Sequence, residues 1–219
     1  VGTVGGDAAD YLVYMKQVGI DTSLVRMLPD RYTPQCFITT DLDNNQIASF
    51  HPGAMEQSAD NDISGQEAAW GIVAPDSKDG MFAHAGRMHR SGIPFVFDLG
   101  QAMPLFDGDD IRRMLEMASI LCVNEYEASV VEQRTGATMR ELAQGLQGVV
   151  VTHGSESSHV YEGGQFTEVP VVPASAVVDP TGCGDAHRAG LLFGLARGWT
   201  LADACKLGNV MGSLKVASR

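Results

Sequence analysis

Apolar and polar positions change period several times along the chain. Near the start, Leu12, Met15 and Val18 share one helical face, with Asp7 placed to cap that helix and Gly19 to end it. Val1 to Val4 reads as the end of a strand. Residues 33–41 and 46–51 alternate with period two around Asp43-Asn44-Asn45, the pattern of a hairpin spanning about 33–52. From residue 71 onward, short continuous apolar runs (71–74, 94–98, 119–123, 148–152) are separated by helical stretches at 77–91, closed by Gly92, and at 107–117. Ala186, Ala189, Leu192, Phe193 and Ala196 recur at helical spacing, which predicts a helix from about Cys183 to Arg197 with Gly198 as its stop. Thr200 caps another helix, carrying Lys206 to Asn209. Continuous apolar strands alternating with helices imply an α/β fold whose mostly parallel sheet is covered on both faces.

Ligands of such sheets bind beyond the carboxyl ends of the strands. The polar residues that stand there are Asp98, Asn124, Thr152-His153-Gly154 and the stretch from Asp179 to Asp185. The last of these, Asp179-Pro180-Thr181-Gly182-Cys183-Gly184-Asp185, runs straight into the predicted helix. A helix start offers free N–H groups and the positive end of the dipole. Gly182 and Gly184, lacking Cβ atoms, let an anion approach that backbone closely. A carboxylate beside an anion site is unwelcome unless it has a task, and Asp185 reads as a general base for a substrate hydroxyl during phosphoryl transfer. On these residues alone, a turn-capping Asp179 and a dipole-favouring Asp185 remain an open alternative.

Composition narrows the classes. The chain has 219 residues, 44% of them hydrophobic, which suits one α/β domain over 1–219. A formal net charge of −12 with no basic patch excludes nucleic acid as an expected partner. No apolar run approaches a membrane span, and the opening residues do not form a signal peptide. Cys36, Cys122, Cys183 and Cys205 show no C-x-x-C spacing and fit reduced thiols of a cytoplasmic protein.

The text Asp-Pro-Thr-Gly-Cys-Gly-Asp-Ala-x-Arg-Ala-Gly at 179–190 closely resembles the C-terminal signature of the PfkB carbohydrate kinases, the ribokinase-like family. Val-Gly-x-Val-Gly-x-Asp at the start resembles the segment that follows that family's N-terminal signature, so both ends of the family pattern are expected to lie outside these residues. Residues 39–55 look like the bacterial adenosine kinase branch. The resemblance implies a ribokinase-like three-layer α/β/α domain with a small β lid formed by the hairpin. It implies an ATP-dependent kinase acting with Mg²⁺ on a primary hydroxyl, first of all the 5′-hydroxyl of adenosine. A sugar of the ribose or fructose type is the runner-up.

Residue by residue, the resemblance makes Asp185 the base and the backbone of Gly182, Cys183 and Gly184 the anion cradle. Asn124-x-x-Glu127 matches a motif of the Mg²⁺ and phosphate region, with Glu127 ordering the ion's hydration shell. A helix-favouring role is the alternative for Glu127 and the expected one for Glu125. Thr152-His153-Gly154 matches a nucleotide-phosphate contact made by Thr152 and Gly154, although Ser157 replaces a glycine usual in that loop, and His153 reads as a loop residue grouped with no carboxylate. Asn209 falls where an Asn lies near the ATP base, or else faces water. Asp179 and Thr181 match part of a loop for a monovalent cation, K⁺ being the candidate. His187 stands where Phe or Tyr is usual and is expected to pack behind the helix. Phe37 and Phe50 are candidates to stack on a purine, or are ordinary hairpin contacts.

Open lid edges suggest a homodimer through the lid. Two other classes stay in view: a non-catalytic ligand-binding protein on the same fold, and a nucleotide-cofactor oxidoreductase, which lacks G-x-G-x-x-G opening a βαβ unit. A P-loop enzyme is excluded by the absence of G-x-x-x-x-G-K-[ST].

Overall fold

The structure, a computed structural model, describes residues 1–40 and 46–218. The chain forms two compact units, Val1–Gln66 with Asp76–Arg87, and Glu67–Pro75 with Met88–Arg219.

In the first unit, strand β1 (Gly2–Gly5) leads to helix α1 (Ala9–Gln17) and to β2 (Val25–Leu28), which pairs parallel with β1. The expected cap on α1 is not there. Asp7 lies one residue too early, Ala8 is the N-cap, and no side chain caps the helix. The Asp7 carboxylate instead accepts from Thr33 N at 2.8 Å and Thr33 Oγ1 at 2.6 Å. The expected apolar face is not buried either: α1 has no buried residue, and Val18 is exposed. Strands β3 (Gln35–Thr40) and β4 (Gln46–His51) form the expected antiparallel hairpin. The predicted turn at Asp43-Asn44-Asn45 lies outside the described residues. A 3₁₀ stretch, Gly53–Asp60, and the first turns of α2 (Lys78–Arg90) complete the unit. Arg87 ties them, donating to the carbonyls of Asn61 at 2.7 Å and Ala59 at 3.0 Å.

The second unit contains β5 (Gly71–Val73), β6 (Phe95–Phe97), helix α3 (Gly108–Leu115), β7 (Ile120–Asn124) and helices α4 (Glu125–Thr135) and α5 (Met139–Leu142). After them come β8 (Gly148–Thr152), β9 (Ser157–Glu162), β10 (Gln165–Pro170), α6 (Cys183–Leu195) and α7 (Leu201–Val216). The sheet order is β10-β9-β8-β7-β6-β5, parallel from β5 to β8, with β9 and β10 antiparallel at one edge. Every apolar strand read from the sequence is present. The β9–β10 hairpin is additional, turning on Gly163 and Gly164, both at positive φ.

Strand alternation sorts the core into two layers. Val96, Ile120, Cys122, Val150 and Val160 point to one face, under Leu191 and Leu195 of α6 and Leu201 and Cys205 of α7. Phe95, Phe97, Leu121, Val123, Val149 and Val151 point to the other and are buried as completely, with α4 against β7 and β8. Each such burial contributes about 1.5–3 kcal/mol. Helices on both faces of a mostly parallel sheet make the three-layer α/β arrangement that the pattern predicts.

Helix α6 packs closely on α7. A Cβ on Gly190 would come within 2.8 Å of the Gly208 backbone, and one on Gly194 within 2.8 Å of Ala204. An interior glycine costs a helix about 1 kcal/mol. That cost is offset here by backbone-to-backbone packing of α6 on α7. At its far end Gly198, at φ +74°, is the expected stop, and Trp199 N–H donates to the Gly194 carbonyl.

Candidate active site

The carboxyl ends of three neighbouring parallel strands and the start of α6 enclose one cavity of about 420 Å³ within the second unit. From β6 comes Asp98, from β7 Asn124, from β8 Thr152; the N-cap and first turn of α6 supply Gly182, Gly184 and Asp185. The polar residues read from strand ends do converge.

The loop is built by local hydrogen bonds. Asp179 Oδ1 accepts from Thr181 N at 2.9 Å. Gly182 then takes φ +78°, a left-handed conformation that only glycine adopts cheaply, and becomes the N-cap of α6. Val178 and Asp179 N–H groups both donate to the Val216 carbonyl, pinning the loop to the end of α7. The expected cradle narrows by one donor: Cys183 N–H is spent inside the turn on the Pro180 carbonyl at 3.2 Å. Gly182 and Gly184 remain. Asp185 follows in the first helical turn with its side chain 87% exposed. It is presented to the cavity rather than used up in the fold.

Beneath it lies a pair that sequence reasoning only half found. Asp98 was singled out; Arg188 was not. Arg188 Nη2 donates to Asp98 Oδ1 at 2.7 Å, and its Nε is 2.7 Å from Oδ2. Burial, then the carboxylates of Glu127 and Asp185, push the Asp98 carboxyl up to about 6, against the opposing pull of Arg188. The available signal was spacing: an Arg three residues after an Asp shares its helical face.

Asn124 and Glu127 form a reciprocal capping box on α4. Glu127 N donates to Asn124 Oδ1 at 2.8 Å, and Asn124 N to Glu127 Oε2 at 2.9 Å. The helix-favouring alternative therefore holds for Glu127, which is buried yet still lines the cavity. Its Oε2 makes the capping-box bond. Among the described residues, no group of three His, Cys, Asp or Glu side chains is arranged to clasp a metal ion directly.

Other expected positions fall differently. Thr152 lines the cavity, whereas Gly154 shapes the β8–β9 turn at φ +58°. His153 does meet a carboxylate, its Nδ1 lying 3.2 Å from Glu125 Oε2. Asn209 neither faces water nor borders the cavity. It is buried, accepts from Ser158 Oγ at 2.7 Å, and donates to the Val169 and Pro170 carbonyls at 3.2 Å. Its amide is occupied in tying α7 to β9 and β10. Lys215 Nζ lies 3.9 Å from Asp179 Oδ2, so the one carboxylate of the expected cation loop already has a cationic neighbour. His187 is buried with Nε2 3.7 Å from Cys205 Sγ, yet it also borders the cavity rather than only packing behind α6 as expected, and burial lowers its pKa to about 4. In the first unit, Phe37 and Phe50 are both exposed. Phe37 pairs with Ser49 and Phe50 with Cys36, so the two rings stand on opposite faces of the hairpin. They cannot both stack on one base from the same side.

A family model described as pfkB family carbohydrate kinase matches residues 1–219. The solved nucleoside kinase of Burkholderia thailandensis in complex with inosine superposes with a TM-score of 0.96 at 44% identity, over 100% of this chain and 74% of that one. The same enzyme in complex with ADP-inosine superposes at 0.94, covering 100% and 69%. A nucleoside kinase of Methanothermobacter thermautotrophicus is 29% identical over 222 residues, 99% of this chain and 71% of the relative. With the family model matching the whole chain and the fold matching throughout, the chain belongs to the pfkB family of carbohydrate kinases and is a kinase.

Proposed function

We propose that this kinase transfers the γ-phosphoryl group of ATP to a primary hydroxyl of a nucleoside, adenosine at its 5′-hydroxyl being the first acceptor to try. The observation that carries the reaction is Asp185, 87% exposed at the mouth of α6 beside two cradle glycines. Likeness to nucleoside kinases, one of them solved with inosine and with ADP-inosine, supports a purine nucleoside and an adenine nucleotide.

Asp185 accepts the hydroxyl proton as the acceptor oxygen closes on phosphorus. Gly182 and Gly184 present backbone N–H groups to the charge spreading over the moving phosphoryl group, where one such donor is worth about 10²–10³ in rate. Thr152 borders the phosphate end of the donor. The Glu127 carboxylate, lining the cavity, fits a cation held through its water, with Asn124 beside it. A bound Mg²⁺ supplies charge neutralisation on the donor's phosphates. Asp179 and Thr181 stay candidates for a monovalent-cation loop.

Either Phe37 or Phe50 is the base-stacking candidate. The opposite hairpin face, with its own exposed apolar residue, supports a homodimer through the lid, which light scattering tests. Among the described residues no helix is long and apolar enough to cross a membrane, and all four cysteines are free, which supports a cytoplasmic enzyme.

The test is ADP release from ATP and Mg²⁺ with adenosine, inosine, other nucleosides, ribose and fructose. Release dependent on a nucleoside is expected. Release with a free sugar alone would overturn the acceptor class, and ATP binding with no release for any acceptor would favour a non-catalytic binding protein.

A further inference from the structure

The cavity has an electrostatic conflict. It is lined by three carboxylates, Asp98, Glu127 and Asp185, and a nucleotide polyphosphate would bring more negative charge. Among the residues lining it, Arg188 alone carries a fixed positive charge, since burial keeps His187 neutral near pH 7. The Arg188 side chain is only 15% exposed and that of Asp98 4%. As a stabilising device such a buried pair is poor, because desolvation consumes most of the attraction. Its geometry suggests another purpose.

Asp98 Oδ1 accepts from Nη2 at 2.7 Å, and Oδ2 lies 2.7 Å from Nε as an ion pair in which the Nε–H makes no hydrogen bond. That leaves Nη1. It lies 3.8 Å from Asp185 Oδ1, and only 2.6 Å from where a Cβ on Gly184 would sit. The free end of the guanidinium therefore rests over the cradle backbone, in space that only a glycine leaves open. Asp98 clamps the rest, so Nη1 is aimed without the entropy cost of ordering a free Arg side chain.

We propose that Arg188 is a further catalytic residue of the phosphoryl transfer, Nη1 donating to an equatorial oxygen of the transferred group while Asp98 holds the guanidinium in place. The proposal rests on the phosphotransferase reading above. As the acceptor oxygen bonds to the γ-phosphorus, the bond from phosphorus to the donor's bridging oxygen breaks and its electron pair leaves with ADP. The hydroxyl proton goes to Asp185. Arg188 exchanges no proton; it balances charge that grows on the phosphoryl oxygens. Asp98 is the positioning residue.

The test measures kcat and KM for nucleoside and ATP in wild type, Arg188→Met, Arg188→Lys and the double variant Asp98→Asn with Arg188→Met, together with their melting temperatures. Arg188→Met should lose about 10²–10³ in kcat, as for one lost oxyanion-type donor, with the nucleoside KM within a few-fold. Arg188→Lys should regain part of that loss. The double variant removes the orphaned buried charge, so it should recover melting temperature but not turnover. A double variant with near wild-type kcat would show that Arg188 only neutralises Asp98, and would overturn the proposal. Asp185→Asn runs alongside. If it is inactive while Arg188→Met turns over normally, the reaction stands and the role of Arg188 falls. If Asp185→Asn itself turns over normally, the reaction reading falls and takes the role of Arg188 with it.

Discussion

Asp7 and Asp185 are each preceded by glycine, and each stands at the mouth of a helix. By pattern the two are close to interchangeable, yet the structure treats them in opposite ways. Thr33, 26 residues further along, donates its hydroxyl and its N–H to Asp7, with Gln35 Nε2 adding a longer contact at 3.3 Å. Those bonds, the Thr33 hydroxyl first, hold the Asp7 carboxyl below its ordinary value. Among the described residues Asp185 has the 3.8 Å approach of Arg188, and it stays 87% exposed. One carboxylate joins two stretches of backbone; the other is kept available. Whether an acid at a helix mouth is structural or chemical is decided by what the rest of the chain brings to it.

The comparison can be broken from the Asp185 side first. Gly184→Ala puts a Cβ 2.6 Å from the present position of Arg188 Nη1. Because Asp98 pins the guanidinium, it cannot retreat freely, and kcat should fall about 10²-fold, the cost of one displaced donor. Steady-state kinetics with unchanged circular dichroism checks this; turnover within a few-fold of wild type would mean that the cradle tolerates a side chain and that the contact is incidental.

A smaller effect separates Asp185 from the side chain two residues on. His187 is buried, with its folded pKa lowered from 6.5 to about 4. Between those values the unfolded chain binds a proton that the folded one refuses, so wild-type stability should fall as pH drops from about 6.5 to 4. His187→Phe removes this term and should gain about 2 kcal/mol relative to wild type at pH 5, compared with their difference at pH 8. Asp98 works in the opposite direction, since its raised pKa lets the fold gain a proton below about 6. The difference between the two proteins cancels that contribution. Denaturant titrations at both pH values showing no change in the difference would place His187 outside the core.

The smallest effect is expected at Asp7. Asp7→Asn should lower the melting temperature and leave turnover per folded molecule within a few-fold. Its pKa is depressed in the fold, so the stability it contributes is present above about 3.8 and lost as pH falls below that value. A loss of turnover without a change in melting would instead make Asp7 a chemical residue.

Much of the second unit is legible in the sequence, because parallel strands buried on both faces leave continuous apolar runs. Strand 148–152 was found to the residue, and so was the start of α6 at Cys183. What escaped depends on partners distant in sequence. The role of Asp7 needs Thr33, and the role of Asn209 needs Ser158, 51 residues away. The opposite faces of Phe37 and Phe50 need the hairpin register, which a composition of alternating residues does not fix. Arg188 was visible inside the signature, but its meaning appears only once Asp98, 90 residues earlier, reaches it across the strand ends. The Gly163-Gly164 pair, by contrast, is a hairpin signal readable in the sequence itself.

The central claim is that Asp185 is exposed because it takes a proton. The most direct measurement is Asp185→Asn, with turnover and ATP affinity determined on the same preparation. The account predicts a loss of about 10²–10⁴ in kcat, the usual worth of a positioned base, with the ATP dissociation constant within a few-fold of wild type. Turnover close to wild type would contradict it, and would leave Asp185 as no more than a favourable charge at the start of a helix.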